Sequence, residues 1–152
     1  MKKMKHIMKD EEGLTLVELL AVVVIMAIIA GIAAVSISKV IQRTREDAQV
    51  SNVQQMLASA NLYDIQEEAG LQGNETLVTL QDKGTIKSTS FSKDPANIKF
   101  SKDGKGVISI TVGKDTLYAG KKGNALKTFN EEDSASIKRL DLYPEGDGGS
   151  KE

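Results

Sequence analysis

From Leu14 to Val35 the sequence reads LTLVELLAVVVIMAIIAGIAAV, an apolar run broken only by Thr15 and Glu18. A hydrocarbon core of ~30 Å takes about 20 helical residues to cross, and the unbroken part, Leu19 to Val35, falls short of that. The run therefore spans a bilayer only if the turn holding Glu18 is counted with it. At the centre of a span a carboxylate costs roughly 2.5–3.5 kcal/mol. Glu18 lies only ~6 Å along a helix from Leu14, so its penalty is smaller, but its presence still needs a reason. Lys2, Lys3, Lys5 and Lys9 precede the run, and Lys39, Arg43 and Arg45 come after it. This near balance of basic residues sets no orientation.

Three ordinary readings compete. A secretory signal has a basic start, an apolar stretch of about 7–15 residues and a small-x-small cleavage site; Gly31-Ile32-Ala33 offers such a site, but the apolar run is long and begins with a Glu. A plain signal anchor tolerates a carboxylate near its end, where the side chain reaches the interface. Finally, Thr15-Leu16-Val17-Glu18 fits the capping-box pattern, in which Glu18 would accept the backbone N–H of Thr15 at a helix start.

The residues C-terminal to the run narrow the choice. No Pro or Gly occurs between Ile32 and Ala69, and Gly70 is a natural stop. The spacing predicts one helix over 14–69, ~84 Å long at 1.5 Å per residue. Its second half is amphipathic: Ile37, Ile41, Thr44, Ala48, Val53, Met56, Leu57, Ala60 and Tyr63 form the apolar or small side, and Lys39, Arg43, Glu46, Gln49 and Gln54 the polar one. Such a helix needs something to lie on.

The segment GLTLVELLAVVVIMAIIAGIAA, Gly13 to Ala34, resembles the N-terminal signature of type IV prepilins and of the related pseudopilins of secretion and DNA-uptake machines. The shared order of parts is a short charged leader, a Gly, an apolar residue, Thr-Leu-apolar-Glu, and a long apolar helix. The resemblance implies a type IV pilin-like α+β fold, with a long helix packed by a small antiparallel sheet. It implies cleavage between Gly13 and Leu14 by a prepilin peptidase, N-methylation of Leu14, and Glu18 as the residue that marks assembly. Its partners would be further copies of the chain, related minor pilins and an assembly platform in the membrane. The precursor would cross the membrane once and then join a filament on the cell surface. Leu14 stands where the family usually has Phe, Asp10-Glu11-Glu12 makes the leader's end acidic, and Val35 falls where many major pilins have Pro. The alternative is a secreted or signal-anchored extracellular binding module with an ordinary signal sequence.

On this reading the chain divides into a leader, 1–13, an apolar polymerisation helix, 14–38, and its amphipathic continuation, 39–69. A head, 70–143, and a polar tail, 144–152, complete it. In the head, NETLVTLQDKG at 74–84 predicts a short helix with Asn74 as its N-cap. The segments NIKF, VISITV and TLYAG predict strands separated by Gly/Asp turns, and SIKRLDLY at 136–143 predicts another. The sheet's apolar face is expected on Val53, Met56, Leu57 and Ala60.

Composition excludes much else. The chain has no Cys, so neither disulfides nor thiolate sites are available. Lys+Arg 20 against Asp+Glu 21 gives a net charge of -1, without the basic bulk of a nucleic-acid binder. The one His, His6, lies in the leader, which removes His-based triads and metal sites from the processed chain. Asp103 and Asp115 lack the repeated acidic ligands of a calcium loop and read as turn residues. Lys114, Lys121, Lys122 and Lys127 could touch DNA or an anionic surface, but in a near-neutral chain they read as a solvated face. The sequence thus points to a structural subunit, not an enzyme, with no cofactor and no metal.

Overall fold

The computed structural model describes residues 2–118 and 123–144, with side chains described from residue 15 onward. The chain separates into two compact units, Met1–Ile41 and Gln42–Glu152.

The first helix, α1, runs over Lys2–Gln66. It begins inside the expected leader and stops three residues short of Ala69. The stop is local chemistry: Glu67 N–H donates to the Tyr63 carbonyl, Gly70 N–H donates to the Glu67 carbonyl, and Gly70 takes φ +61°. A Cβ at Gly70 would collide with the Asp64 carboxylate. Glycine there both reverses the chain and lets Asp64 reach across the turn.

In the second unit α1 supplies one wall of the core. Val53, Met56, Leu57 and Ala60 are fully buried, as expected for the residues under the sheet. The expected polar side is revised, however. Glu46 and Gln49 are buried, whereas Ala48 is exposed. The apolar and small residues of this half thus occupy two faces, one toward the head and one toward solvent. Glu46 is held by Arg139 Nη1 at 2.9 Å and by Gln42 Nε2 at 2.8 Å, which meets the requirement that a buried charge be paired.

The sheet contains β1 (Ile98–Lys102), β2 (Ile108–Val112) and β3 (Lys127–Asn130), antiparallel in the order β1-β2-β3. Register aligns Phe100 with Ile110 and Ile110 with Phe129, so one buried row crosses all three strands. On the other face the Ser101 and Ser109 hydroxyls lie 2.8 Å apart, and those of Thr111 and Thr128 2.9 Å. The alternation of buried and polar residues is that of a sheet with one wet side. Asp103 closes the β1–β2 turn by accepting the N–H groups of Lys105 and Val107, the turn role expected of it.

The short helix α2 (Leu77–Asp82) forms where the sequence predicts a helix, but its N-cap is Thr76, not Asn74. The preceding residues are taken up by Glu75, whose carboxylate accepts the N–H groups of Gln72, Gly73 and Asn74. Two strand assignments are corrected. TLYAG contributes only a single bridge, Leu117 to Ser92, and its last two residues lie outside the described ones. SIKRLDLY forms no strand: a 3-10 turn over Glu131–Ser136 leads into α3 (Arg139–Leu142). Asp141 accepts the Lys138 N–H at 2.8 Å and so starts a helix where the apolar alternation reads as a strand. β3 is not anticipated by the sequence, because KTFN carries one apolar side chain and no alternation to detect. Of the tail, only Pro144 is among the described residues.

A fragment beginning at about Lys39 is expected to be a soluble monomer that melts cooperatively, because it keeps the whole buried cluster. In that fragment Phe100→Ala should cost about 3–5 kcal/mol by chemical denaturation; an aggregated or unfolded fragment would contradict the packing. Asp64 supplies a pH test. Lys102 Nζ at 2.6 Å, and then the Leu71 N–H, hold its carboxyl below the usual carboxylate range. A depressed carboxyl stabilises the fold above its unfolded value near ~3.9 and loses that contribution as pH falls through the folded value. Melting temperature should therefore drop on acidification below about pH 4, and Asp64→Asn should flatten that drop.

Candidate functional site

Around Glu18 the helix is mostly apolar and its described side chains are exposed. Leu16, Val17, Leu19 and Leu20 are 67, 65, 63 and 63 % exposed, and Glu18 is exposed among them. The helix contains an 18-residue window of mean hydropathy 2.9, none of it buried, which is long and apolar enough to cross a membrane. Hydrophobic surface of this extent is stable only in lipid or against other apolar surfaces.

Thr15 lies well inside α1, whose backbone is helical from Lys2. A capping box needs an N-terminus at Thr15, and the precursor has none there. Among the described residues none pairs with the Glu18 carboxylate. The carboxylate thus stands on an apolar helix with no partner among the described residues. Gly13 and Leu14 lie on the same helix, one turn before Glu18, with their side chains outside the described residues. The helix also stays continuous through Gly31 and Val35. Ser36 Oγ donates to the Ile32 carbonyl at 3.2 Å and Ser38 Oγ to the Ala34 carbonyl at 3.0 Å, so these hydroxyls are satisfied within the helix.

Among the described residues the head offers no comparable site. An open groove of about 360 Å³ beside β3 is lined by Lys127, Thr128, Asn130, Asp133 and Asp141, among others. Among the described residues no group of three His, Asp or Glu is placed to hold a metal. The Lys114 and Lys127 side chains are exposed, while Lys121 and Lys122 lie outside the described residues. Burial pushes the Tyr143 phenol up, and the nearby Glu46 charge adds to the shift; its hydroxyl has no hydrogen-bond partner among the described residues. It is enclosed by the core and plays no part in a surface site.

If Glu18 is not a cap, Glu18→Gln and Glu18→Ala should leave the helicity of the detergent-solubilised precursor unchanged by circular dichroism. A clear loss in the Ala variant alone would restore the capping role.

A model of the prokaryotic N-terminal methylation motif matches residues 8–34, the stretch that contains Gly13, Leu14 and Glu18. Comparison with curated proteins and with solved structures gave no match. This match gives the N-terminus the class III signal motif of type IV pilins and pseudopilins, and the long N-terminal helix with a small three-strand antiparallel sheet is an α+β architecture consistent with a type IV pilin-like fold.

Proposed function

We propose that the chain is a structural subunit of a type IV pilus-like or pseudopilus filament, cut after Gly13, N-methylated at Leu14, and assembled through its N-terminal helix. The observation that carries this reading is Glu18, without a partner among the described residues, on an exposed apolar helix inside the methylation motif. Burying that helix among others would strand the carboxylate unless a cation met it, and removing one partner of a buried pair typically costs about 3–5 kcal/mol. Cleavage supplies the cation. An α-amino group ordinarily titrates near ~7.7–8.0 and is largely charged at neutral pH. On its own helix the Leu14 amine lies four residues from Glu18; on an incoming subunit it can be brought level with a neighbour's Glu18. Apolar packing alone has no direction, so the ion pair fixes the axial step, as a buried polar residue fixes register in a coiled coil. The leader blocks the amine, which makes cleavage the activating step.

Small residues suit the scissile position, because a peptidase at the membrane surface must accept an extended backbone there. The precursor is then a single-pass membrane protein and the product part of a surface filament, with minor pilins and a membrane assembly platform as partners. No observation favours the competing secreted binding module.

Intact mass and N-terminal sequencing of the surface material test the cleavage. A start at methylated Leu14 is expected, whereas a start near Ala34 or an intact Met1 would favour the binding module. Gly13→Leu should leave the leader attached. Glu18→Gln and Glu18→Leu should be inserted and cleaved normally, yet stay in the membrane pool instead of sheared filaments. Normal filament yield from both Glu18 variants would sink the ion-pair mechanism.

A further inference from the structure

The sheet is open along β3, and its register shows which backbone groups face outward there. Phe100 N–H donates to the Glu75 carbonyl at 2.9 Å, on the side of β1 away from β2. Backbone groups alternate in direction along a strand, so Ile110, opposite Phe100, turns its N–H and C=O toward Phe129 on β3. One residue before Phe129, Thr128 therefore turns both of its backbone groups away from β2, and the Asn130 N–H faces the same way. Neither backbone group of Thr128 is bonded to a described residue. The opposite edge of the sheet is covered, because Thr76 bridges Lys99 and Glu75 meets Phe100.

The groove of about 360 Å³ described above runs along this open edge. All four residues of β3 line it on one side, and Asp133, Ser136, Ile137 and Asp141 on the other. No β2 residue lines it, which places it on the outward side of β3. Phe129 and Ile137, both 7 % exposed, give it an apolar part. Asp133 and Asp141 against Lys127 leave the lining with a net negative charge.

The outward N–H and C=O of a strand are matched by a second extended backbone, and the pockets beside them select its side chains. The walls leave room for one chain. The β3 of a second copy does not fit, since it carries the same wall along its own edge, and a four-residue strand that starts with Lys127 discourages edge-to-edge pairing. We propose that this groove binds an extended, basic peptide segment of another protein, added beside β3 as a fourth strand. Apolar side chains of the segment lie over Phe129 and Ile137, and basic ones meet Asp133 and Asp141. The inference does not depend on the filament reading.

The probe is a fluorescent, end-blocked peptide of alternating Lys and Val, titrated with the full-length chain in nonionic detergent and followed by anisotropy. Saturable binding is expected, and exchange of the Thr128 amide should slow when the peptide binds. Asp133→Lys, at an exposed position, should weaken binding at least about tenfold and leave head melting unchanged. Only alternate N–H groups of an added strand face β3. Methylating the peptide's backbone nitrogens at the Val positions or at the Lys positions should therefore abolish binding in one case and spare it in the other. That comparison leaves the protein unaltered, so it stands whether or not a protein variant folds. Absence of binding, equal effects of the two methylations, or an unchanged Thr128 amide would overturn the proposal. So would Thr128 protection that grows with protein concentration in the absence of peptide, because a second copy would then occupy the edge.

Discussion

The constraint on which the rest depends is a helix whose apolar surface none of the described residues covers. From Leu16 to Ile41 large apolar side chains stand exposed, and Glu18 stands among them with a charge. Lipid covers the apolar surface but gives the carboxylate nothing to pair with; on the filament reading proposed above, other helices would cover the surface and, once the leader is removed, bring an amine. On that reading the same segment is tolerable in a membrane and better satisfied in an assembly, since packing and charge pairing are gained together.

The head depends on α1 in a different way. Its three short strands could not close a core alone, because a small sheet with one apolar face needs a second layer to bury it. Val53, Met56, Leu57 and Ala60 provide that layer. Polar contacts then fix the C-terminal segment along the helix: Arg139 to Glu46, Gln54 Nε2 to the Ser134 carbonyl at 2.9 Å, and Asn61 to Glu131. At the helix end, Asp64 joins the turn at Leu71 to Lys102 on β1. A chain without Cys achieves this with ion pairs and hydrogen bonds in place of disulfides.

How much of this the sequence discloses depends on how far the signal extends along the chain. The long helix is legible because its apolar run, the lack of Gly and Pro, and Gly70 all agree over many turns. The methylation motif over residues 8–34 is legible too, since a carboxylate such as Glu18 in an apolar run is conspicuous. β1 and β2 are legible from alternation. β3 is not, because Phe129 alone marks its buried side. SIKRLDLY misleads because Ile137 and Leu142 are both buried, while the choice between helix and strand is made by a hydrogen bond from Lys138 N–H to Asp141, two ordinary surface residue types. The two faces of α1 merge in the sequence for a related reason: a period near 3.5 and one near 3.6 stay in step over a few turns, and only the position of the sheet separates them.

That separation explains why Glu46 and Gln49 are buried while Ala48, lying between them in the sequence, is not. A helix that packs on a head by one side only must divide its circumference between core and surroundings. On the head side, burial is secured by packing within one chain, so polar residues are admissible wherever the fold supplies a partner, as Arg139 does for Glu46. The outward side from Ala48 to Ile65 packs on nothing among the described residues, and its exposed polar groups, Ser51 and Gln55, face water. Large apolar residues along it would invite indiscriminate association, and here they are confined to Leu62 and Ile65.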